Sequence, residues 1–384
     1  MSPTPANTRP IYLDHNATTP VAAQVVEAML PYLHGGFGNT SSGHAWGRSA
    51  REAAEAARAQ VAALLGCGAD EILFTSGGTE SNNFALKGAA FAPGRTRAEI
   101  VISAVEHPSV SKTAAWLGRL GLRVRELPVD ATGRVAAPDL ARVLSGTTLL
   151  VSVMHSNNEV GTLQPIAELA TIAHGAGALL HSDAAQSAGK VPLDVRELGV
   201  DLLTIAGHKL YGPKGVGALY VRAGVELEPL LHGAGHERGL RAGTVAVAQV
   251  VGLGRACEIA RARLAADAPR FRALCERLHR GLVRELGDDR VRRNGHPEQR
   301  LPNTLSVAFR DVDANALLDR LGAEVAASPG AACHSGTVEM SGVLRAMGVP
   351  PEWAMGTVRF SVGRSTSEAQ IDDAVALVAA AVRG

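Results

Sequence analysis

The chain has 384 residues, and at ~150 residues per domain that length predicts two or three domains. Lys and Arg number 38 against 37 Asp and Glu, a net charge of +1, so the whole-protein basic field used in non-specific nucleic-acid binding is missing. Hydrophobic residues at 46% and charged residues at 20% match ordinary globular usage and argue against disorder.

No apolar run approaches the ~20 residues of a membrane span, and the opening MSPTPANTRPIYLDHNATTP lacks the apolar stretch of a signal peptide. The four cysteines, Cys67, Cys257, Cys275 and Cys333, form no CxxC pair and no metal-ligand spacing. Neither a disulfide framework nor a metal site is expected, and the composition fits a soluble, cytoplasmic protein without membrane or nucleic-acid partners.

In chain order, a strand EILF precedes the helical run NFALKGAA. Further strands are predicted at EIVISAV (99–105), RVRELPV (123–129), TLLVSVMH (148–155), ALLHSD (178–183), LLTIAG (202–207) and GALYVR (217–222). Helical periodicity fills 112–120, 138–144 and 166–176 between them. This alternation predicts an α/β fold, a mainly parallel sheet covered by helices on both faces. Near residue 250 the texture changes. A long helical stretch (246–286) leads to NTLSVAF (303–309), the helix DANALLDRLG (313–322), the strand EVAAS, a loop with Cys333, TVRFSVG (357–363) and a final helix over 367–382 capped by Ser367. These read as a smaller α+β C-terminal domain. The expected boundaries are 15–255 for the large domain and 1–14 with 256–384 for the small one.

The sharpest local signal is Ala206-Gly207-His208-Lys209, at the end of an apolar strand and before the tight connection LYGPKGVG. Open α/β sheets keep their ligand crevice at the carboxyl ends of their strands. A lysine desolvated there has a lowered pKa and is a competent nucleophile toward a carbonyl. Taken alone it reads as a surface lysine in a turn; its company changes the reading. Asp183, in HSDAAQ, ends the preceding strand, and a buried carboxylate needs a donor or cation as partner. A protonated pyridine nitrogen would supply one, whereas a cap or a local salt bridge is the plainer alternative. Thr75-Ser76-Gly77-Gly78-Thr79-Glu80 opens a helix whose free N–H groups and dipole suit a phosphate, with Gly78 and Thr79 as contacts. His107, Asn158 and Gln186 stand at comparable strand ends, and His107 could stack on a planar ring or move a proton. Together these residues describe a pocket for a phosphorylated aromatic aldehyde.

With these residues in place the sequence resembles the cysteine desulfurases and the related selenocysteine lyases, within the class V aminotransferase-like, fold type I enzymes. The segments that carry the resemblance include YLDHNATTP (12–20), FGNTSSGHAWGR (37–48), FTSGGTESNN (74–83), EHPSV (106–110) and NNEVGTLQPI (157–166). HSDAAQSAGK (181–190), GHKLYGPKGVGALYVR (207–222), GHERGLRAGT (235–244), GAACHS (330–335) and VRFSVGRST (358–366) complete it nearly end to end.

The resemblance implies that Lys209 holds pyridoxal 5'-phosphate through its amine, that Asp183 pairs with the pyridinium, and that His107 stacks on the ring and takes part in proton transfer. It further implies that Gly78, Thr79 and His208 bind the phosphate, that Asn158 and Gln186 serve the ring's phenolic oxygen, and that Asn158 and Arg359 hold the substrate, Arg359 through its carboxylate. Thr244 would reach the cofactor phosphate of a partner subunit, making a homodimer the working unit. Cys333, in a small-residue loop, would attack the substrate sulfur of L-cysteine, take up a persulfide, release L-alanine and pass the sulfur to an acceptor for iron–sulfur cluster assembly or thio-modification. Two departures stand out. Ala206 replaces the serine usual before Gly-His-Lys and so removes a hydroxyl from the phosphate site. GAACHS, TIAGHK and SVGRST lean toward selenocysteine lyase, which leaves L-selenocysteine as an alternative substrate. A true aminotransferase and a non-catalytic sulfur-relay or scaffold protein are the remaining alternatives.

Overall fold

The computed structural model of the chain describes residues 10–334 and 337–384. Its larger sheet has seven strands, in the order Ile72–Thr75, Gly217–Val221, Leu202–Ala206, Leu179–Asp183, Thr148–Ser152, Glu99–Ser103 and Arg123–Leu127. All run parallel except Gly217–Val221, which is antiparallel to both neighbours. The reversal follows from the connection: LYGPKGVG is too short for the crossover that a parallel neighbour needs. Four of the inner strands, Glu99–Ser103, Thr148–Ser152, Leu202–Ala206 and Gly217–Val221, are buried along their whole length, which is why they read as unbroken apolar runs. Arg123–Leu127, at one edge of the sheet, is partly exposed, and Arg123 and Arg125 there reach the buried carboxylate of Glu99.

The predicted strands at 99–105 and 148–155 stop early, at Ser103 and Ser152, because the chain turns toward the strand-end cavity. Two helices were not anticipated, Ala23–His34 and Ala45–Leu65. The second is capped by His44, which accepts from the Gly47 N–H, and ends on Gly66 in the left-handed conformation (φ 72°).

A smaller antiparallel sheet runs Ser328–Pro329, Thr357–Ser361, Thr304–Phe309 and Val291–Asn294. Helix Glu368–Arg383 packs on it and begins with a Ser367/Gln370 capping box, as its sequence suggests. Helix Val247–Leu286 joins the two regions. With 40 residues it is about 60 Å long. Its first half buries Val250, Leu253, Cys257 and Ala260 in the core of the larger sheet. Its second half buries Phe271, Leu274, Cys275, Leu278 and Leu282 in the core of the smaller one. Among the described residues no helix is long and apolar enough to cross a membrane.

Candidate active site

The carboxyl ends of the parallel strands open into a cavity of about 340 Å³, within the usual range for a small-molecule site. Lys209 enters it from the turn Gly207–Lys209, directly after strand Leu202–Ala206. The N-terminal segment 13–19 straps across this turn. The Thr19 N–H donates to the His208 carbonyl at 2.9 Å, and the Tyr211 N–H donates to Thr19 Oγ1 at 2.8 Å. The strap offers the carbonyls of Asn16 and Ala17 to Lys209 Nζ at 2.6 and 2.9 Å. Burial, aided by the Arg359 guanidinium, lowers the Lys209 pKa to about 8 against the opposing pull of Asp14 and Asp183.

Asp183 ends its strand 6% exposed. Oδ2 accepts from Asn82 Nδ2 at 2.7 Å and Oδ1 from the Ala185 N–H at 2.9 Å. Both partners are neutral, so its negative charge is free to meet a cationic ring nitrogen. Asn82 leaves its own Oδ1 buried without a partner. Helix Gly78–Phe91 presents its first turn to the same cavity, where Gly78 and Thr79 have N–H groups that no earlier turn can satisfy. The close approach of the strands there requires glycine. Gly77 has φ 145°, and a Cβ on Gly217 would lie 2.7 Å from Gly77 Cα.

His107 caps helix Pro108–Arg119, its Nδ1 accepting from the Ser109 N–H at 3.1 Å, and its ring lines the cavity. Surrounding protein lowers its pKa; Asp183 opposes and Lys209 assists that shift. Arg359 comes from the smaller sheet. Nη2 donates to Asp14 Oδ1 at 2.8 Å and Ser328 Oγ at 2.9 Å, and Nη1 donates to the Asn158 carbonyl at 3.1 Å. Its Nε is buried without a partner among the described residues.

Asn158, Gln186, Ala206 and His208 also line the cavity. Gln186 Nε2 donates to the Asn16 carbonyl at 2.9 Å. His208 pairs its Nδ1 with Thr18 Oγ1 at 3.2 Å, and burial beside Lys209 lowers its pKa to about 4, so it is neutral. The methyl of Ala206 stands where the resemblance expected a hydroxyl. Thr244 is exposed and lies outside this cavity. Cys333 has its backbone on strand Ala331–His334, opposite Val338 in a hairpin; its side chain lies outside the described residues. Cys257 and Cys275 are buried packing residues, and burial pushes the Cys275 thiol up to about 12. Cys67 packs against the core of the larger sheet.

The residues the sequence reading did not single out are Asp14, Asn16, Asn82 and Lys190. Asn82 had a usable signal, since it lies four residues after Gly78 and so on the same helix face. Asn16 and Asp14 act through a strap that pairs with residues more than 190 positions away, and no periodicity announces them.

An α/β sheet with a strand-end lysine, a partnered aspartate and a phosphate-ready helix defines a pyridoxal-phosphate type of site. The family model described as aminotransferase class-V matches residues 11–374. A cysteine desulfurase of Gluconacetobacter diazotrophicus is 48% identical over 365 residues, which is 94% of this chain and 90% of that protein. The cysteine desulfurase IscS of Anaeromyxobacter sp. (strain Fw109-5) is 47% identical over 377 residues, 97% of this chain and 93% of that protein. A solved structure described as a NifS-like protein superposes with a TM-score of 0.91 at 37% identity, covering 97% of this chain and 98% of that one. The chain belongs to the class-V aminotransferase family and, within it, to the pyridoxal-phosphate-dependent cysteine desulfurases.

Proposed function

We propose that the cavity is the active site for conversion of L-cysteine to L-alanine, with Cys333 receiving the sulfur. The overall change is balanced without an external redox agent. The substrate Cβ–S bond breaks, carbon gains the proton and electron pair, and the sulfur leaves bonded to the Cys333 sulfur as a persulfide. Bound pyridoxal phosphate supplies an electron-withdrawing ring that stabilises negative charge on the substrate carbon skeleton.

The chain's own residues do the rest. Lys209, with its pKa near 8, offers a neutral amine to the aldehyde. Asp183, held by Asn82, keeps a ring nitrogen protonated. The free N–H groups of Gly78 and Thr79, with His208, take the phosphate. His107 would cover the ring and is placed to move a proton, Asn158 and Gln186 would meet the ring oxygen, and Arg359, which also lines the cavity, would hold the substrate carboxylate.

Exposed Thr244 and an exposed apolar cluster support a homodimer. Phe37, 76% exposed, stacks on Trp46, 58% exposed, with ring centroids 5.3 Å apart, and Leu33, four residues before Phe37, is 58% exposed. Such a cluster is uncommon on a monomer and suits a second copy of this chain. We place the large unit at 15–255 and the small one at 1–14 with 256–384; residues 1–9 lie outside the described ones. We place the protein in the cytoplasm, with a sulfur-acceptor or scaffold protein as partner.

The observation that carries this reading is the convergence of Lys209, Asp183, His107 and the Gly78–Thr79 helix start on one cavity. Mass spectrometry after brief exposure to L-cysteine tests it: the expected result is one added sulfur on Cys333. Cys333→Ala is expected to lose alanine formation from L-cysteine. Retained alanine formation from L-selenocysteine alone would reassign the enzyme to selenocysteine. Keto-acid-dependent amino exchange indifferent to Cys333 would overturn the reading in favour of an aminotransferase.

A further inference from the structure

Behind the cavity lies a second lysine that the proposed chemistry leaves unused. Lys190 is 5% exposed, and its Nζ donates to two neutral acceptors, Gln186 Oε1 at 2.9 Å and Asn16 Oδ1 at 3.4 Å. An amine sealed from water with no carboxylate against it is costly, so its place calls for a reason. Its two partners are the residues that organise the cavity edge. Gln186 Nε2 donates to the Asn16 carbonyl at 2.9 Å, and the same carbonyl accepts from Lys209 Nζ at 2.6 Å.

A side-chain amide can sit either way round, and its neighbours decide which. A Gln186 amide turned over would aim its N–H groups at the Lys190 amine and its oxygen at the Asn16 carbonyl, losing both bonds. Lys190 and the Asn16 carbonyl therefore together select this orientation, with Lys190 holding the oxygen end of the Gln186 amide. The Asn16 side chain has other anchors, with Nδ2 on Thr304 Oγ1 at 2.8 Å and Oδ1 accepting from Asn303 Nδ2 at 3.0 Å. Gln186 Oε1 has Lys190 as its partner among the described residues, so loss of that amine falls mainly on Gln186.

We propose that Lys190 is a positioning residue that presents the Gln186 amide to the ring oxygen of the bound cofactor and steadies the Asn16 carbonyl beneath the Lys209 amine. The inference rests on the pyridoxal phosphate reading above. The charged and titratable groups facing this cluster come from every element around it. Burial holds the Lys190 pKa well below its usual value, and Lys209 and Arg359, facing it from the turn after the sheet and from the smaller sheet, press it further down. His15 on the strap and His208 on the turn sense it and are both held near 4, hence neutral. Asp14 and Asp183 act on Lys209 in the opposite sense.

Loss of a correctly oriented donor to the ring oxygen weakens the ionised form of the cofactor link. Lys190→Met keeps the length and apolar stem but removes the donor. In the cofactor-loaded protein it should raise the midpoint of the pH titration of the visible absorption band by about one unit and weaken cofactor binding about tenfold. Lys190→Gln, which restores an N–H, should recover most of both. Gln186→Ala should reproduce the rise, and Lys190→Met in that background should add nothing.

An unmoved midpoint and unmoved affinity in Lys190→Met, with only a lower Tm, would overturn the inference. So would a Lys190→Met shift that persists in full without Gln186. Should Lys190→Met fail to fold, a Gln186→Ala protein titrating like the wild type overturns it independently. A wild-type protein that takes up no cofactor would overturn the functional reading itself, whereas a coloured wild type with an unresponsive titration sinks this inference alone.

Discussion

Lys209 shows how one residue is tuned by what surrounds it. Its amine rests on two strap carbonyls, and burial lowers its pKa from 10.5 to about 8. In the cofactor-free protein, uptake of pyridoxal phosphate should therefore quicken with rising pH through a midpoint near 8, read by stopped-flow absorbance; a midpoint near 10.5 would contradict the desolvated site. The same shift has a sign for stability. The folded pKa lies below the unfolded one, so between pH 8 and 10.5 the unfolded chain binds more protons. This group's destabilising contribution is full below pH 8 and fades as the pH rises toward 10.5.

At this scale much of the site was legible. Lys209, Asp183, His107 and Gly78 could be singled out because residue type plus a strand-end or helix-start position suggests a chemistry, and the structure brings them to one cavity. Lys190 could not, because its meaning depends on burial behind Gln186, and the string GK carries no trace of that.

Among the elements, the segment 235–244 depends most on a few contacts. Glu237 and Arg238 adopt positive φ (47° and 58°), a conformation that non-glycine residues seldom take. Glu237 holds it there. Its carboxylate takes both ends of Arg58, at 2.7 and 2.8 Å, and the Phe74 N–H at 2.8 Å, with both side chains almost fully buried. Arg241 ties the far end to Glu80 at 2.8 Å, on helix Gly78–Phe91.

Glu237→Gln strips the charge but keeps the shape, leaving buried Arg58 with the exposed Glu55, at 3.2 Å, as its remaining ion-pair partner, at a cost of about 3 kcal/mol. Hydrogen exchange should then accelerate across 235–244 while strand Leu202–Ala206 stays protected; uniform acceleration would place the pair in global stability instead. The sequence showed GHERGLRAGT as a motif. It did not show why the motif holds its shape, because Arg58 lies 179 residues away.

The whole molecule is coupled by helix Val247–Leu286, whose two halves belong to different cores. Leu278 is fully buried in the core of the smaller sheet. Leu278→Ala should cost about 2–5 kcal/mol through the lost contacts and the cavity left behind. Because the helix is shared, urea unfolding followed by the cofactor band and by far-UV circular dichroism should shift together. Separated midpoints would show that the two cores melt independently.

Amino-acid order alone was enough for the α/β class, the sequence of elements, the long helix and the chemistry of the strand-end residues. Apolar periodicity and special residue types are local signals, written within a few turns of chain. Folding in three dimensions decided the reversed strand Gly217–Val221, the strap from 13–19, the two-neighbour hold on Asp183 and the packing of Lys190 against Gln186. Those depend on burial and on contacts between residues far apart in the chain, where free energy is set by which groups lose water together.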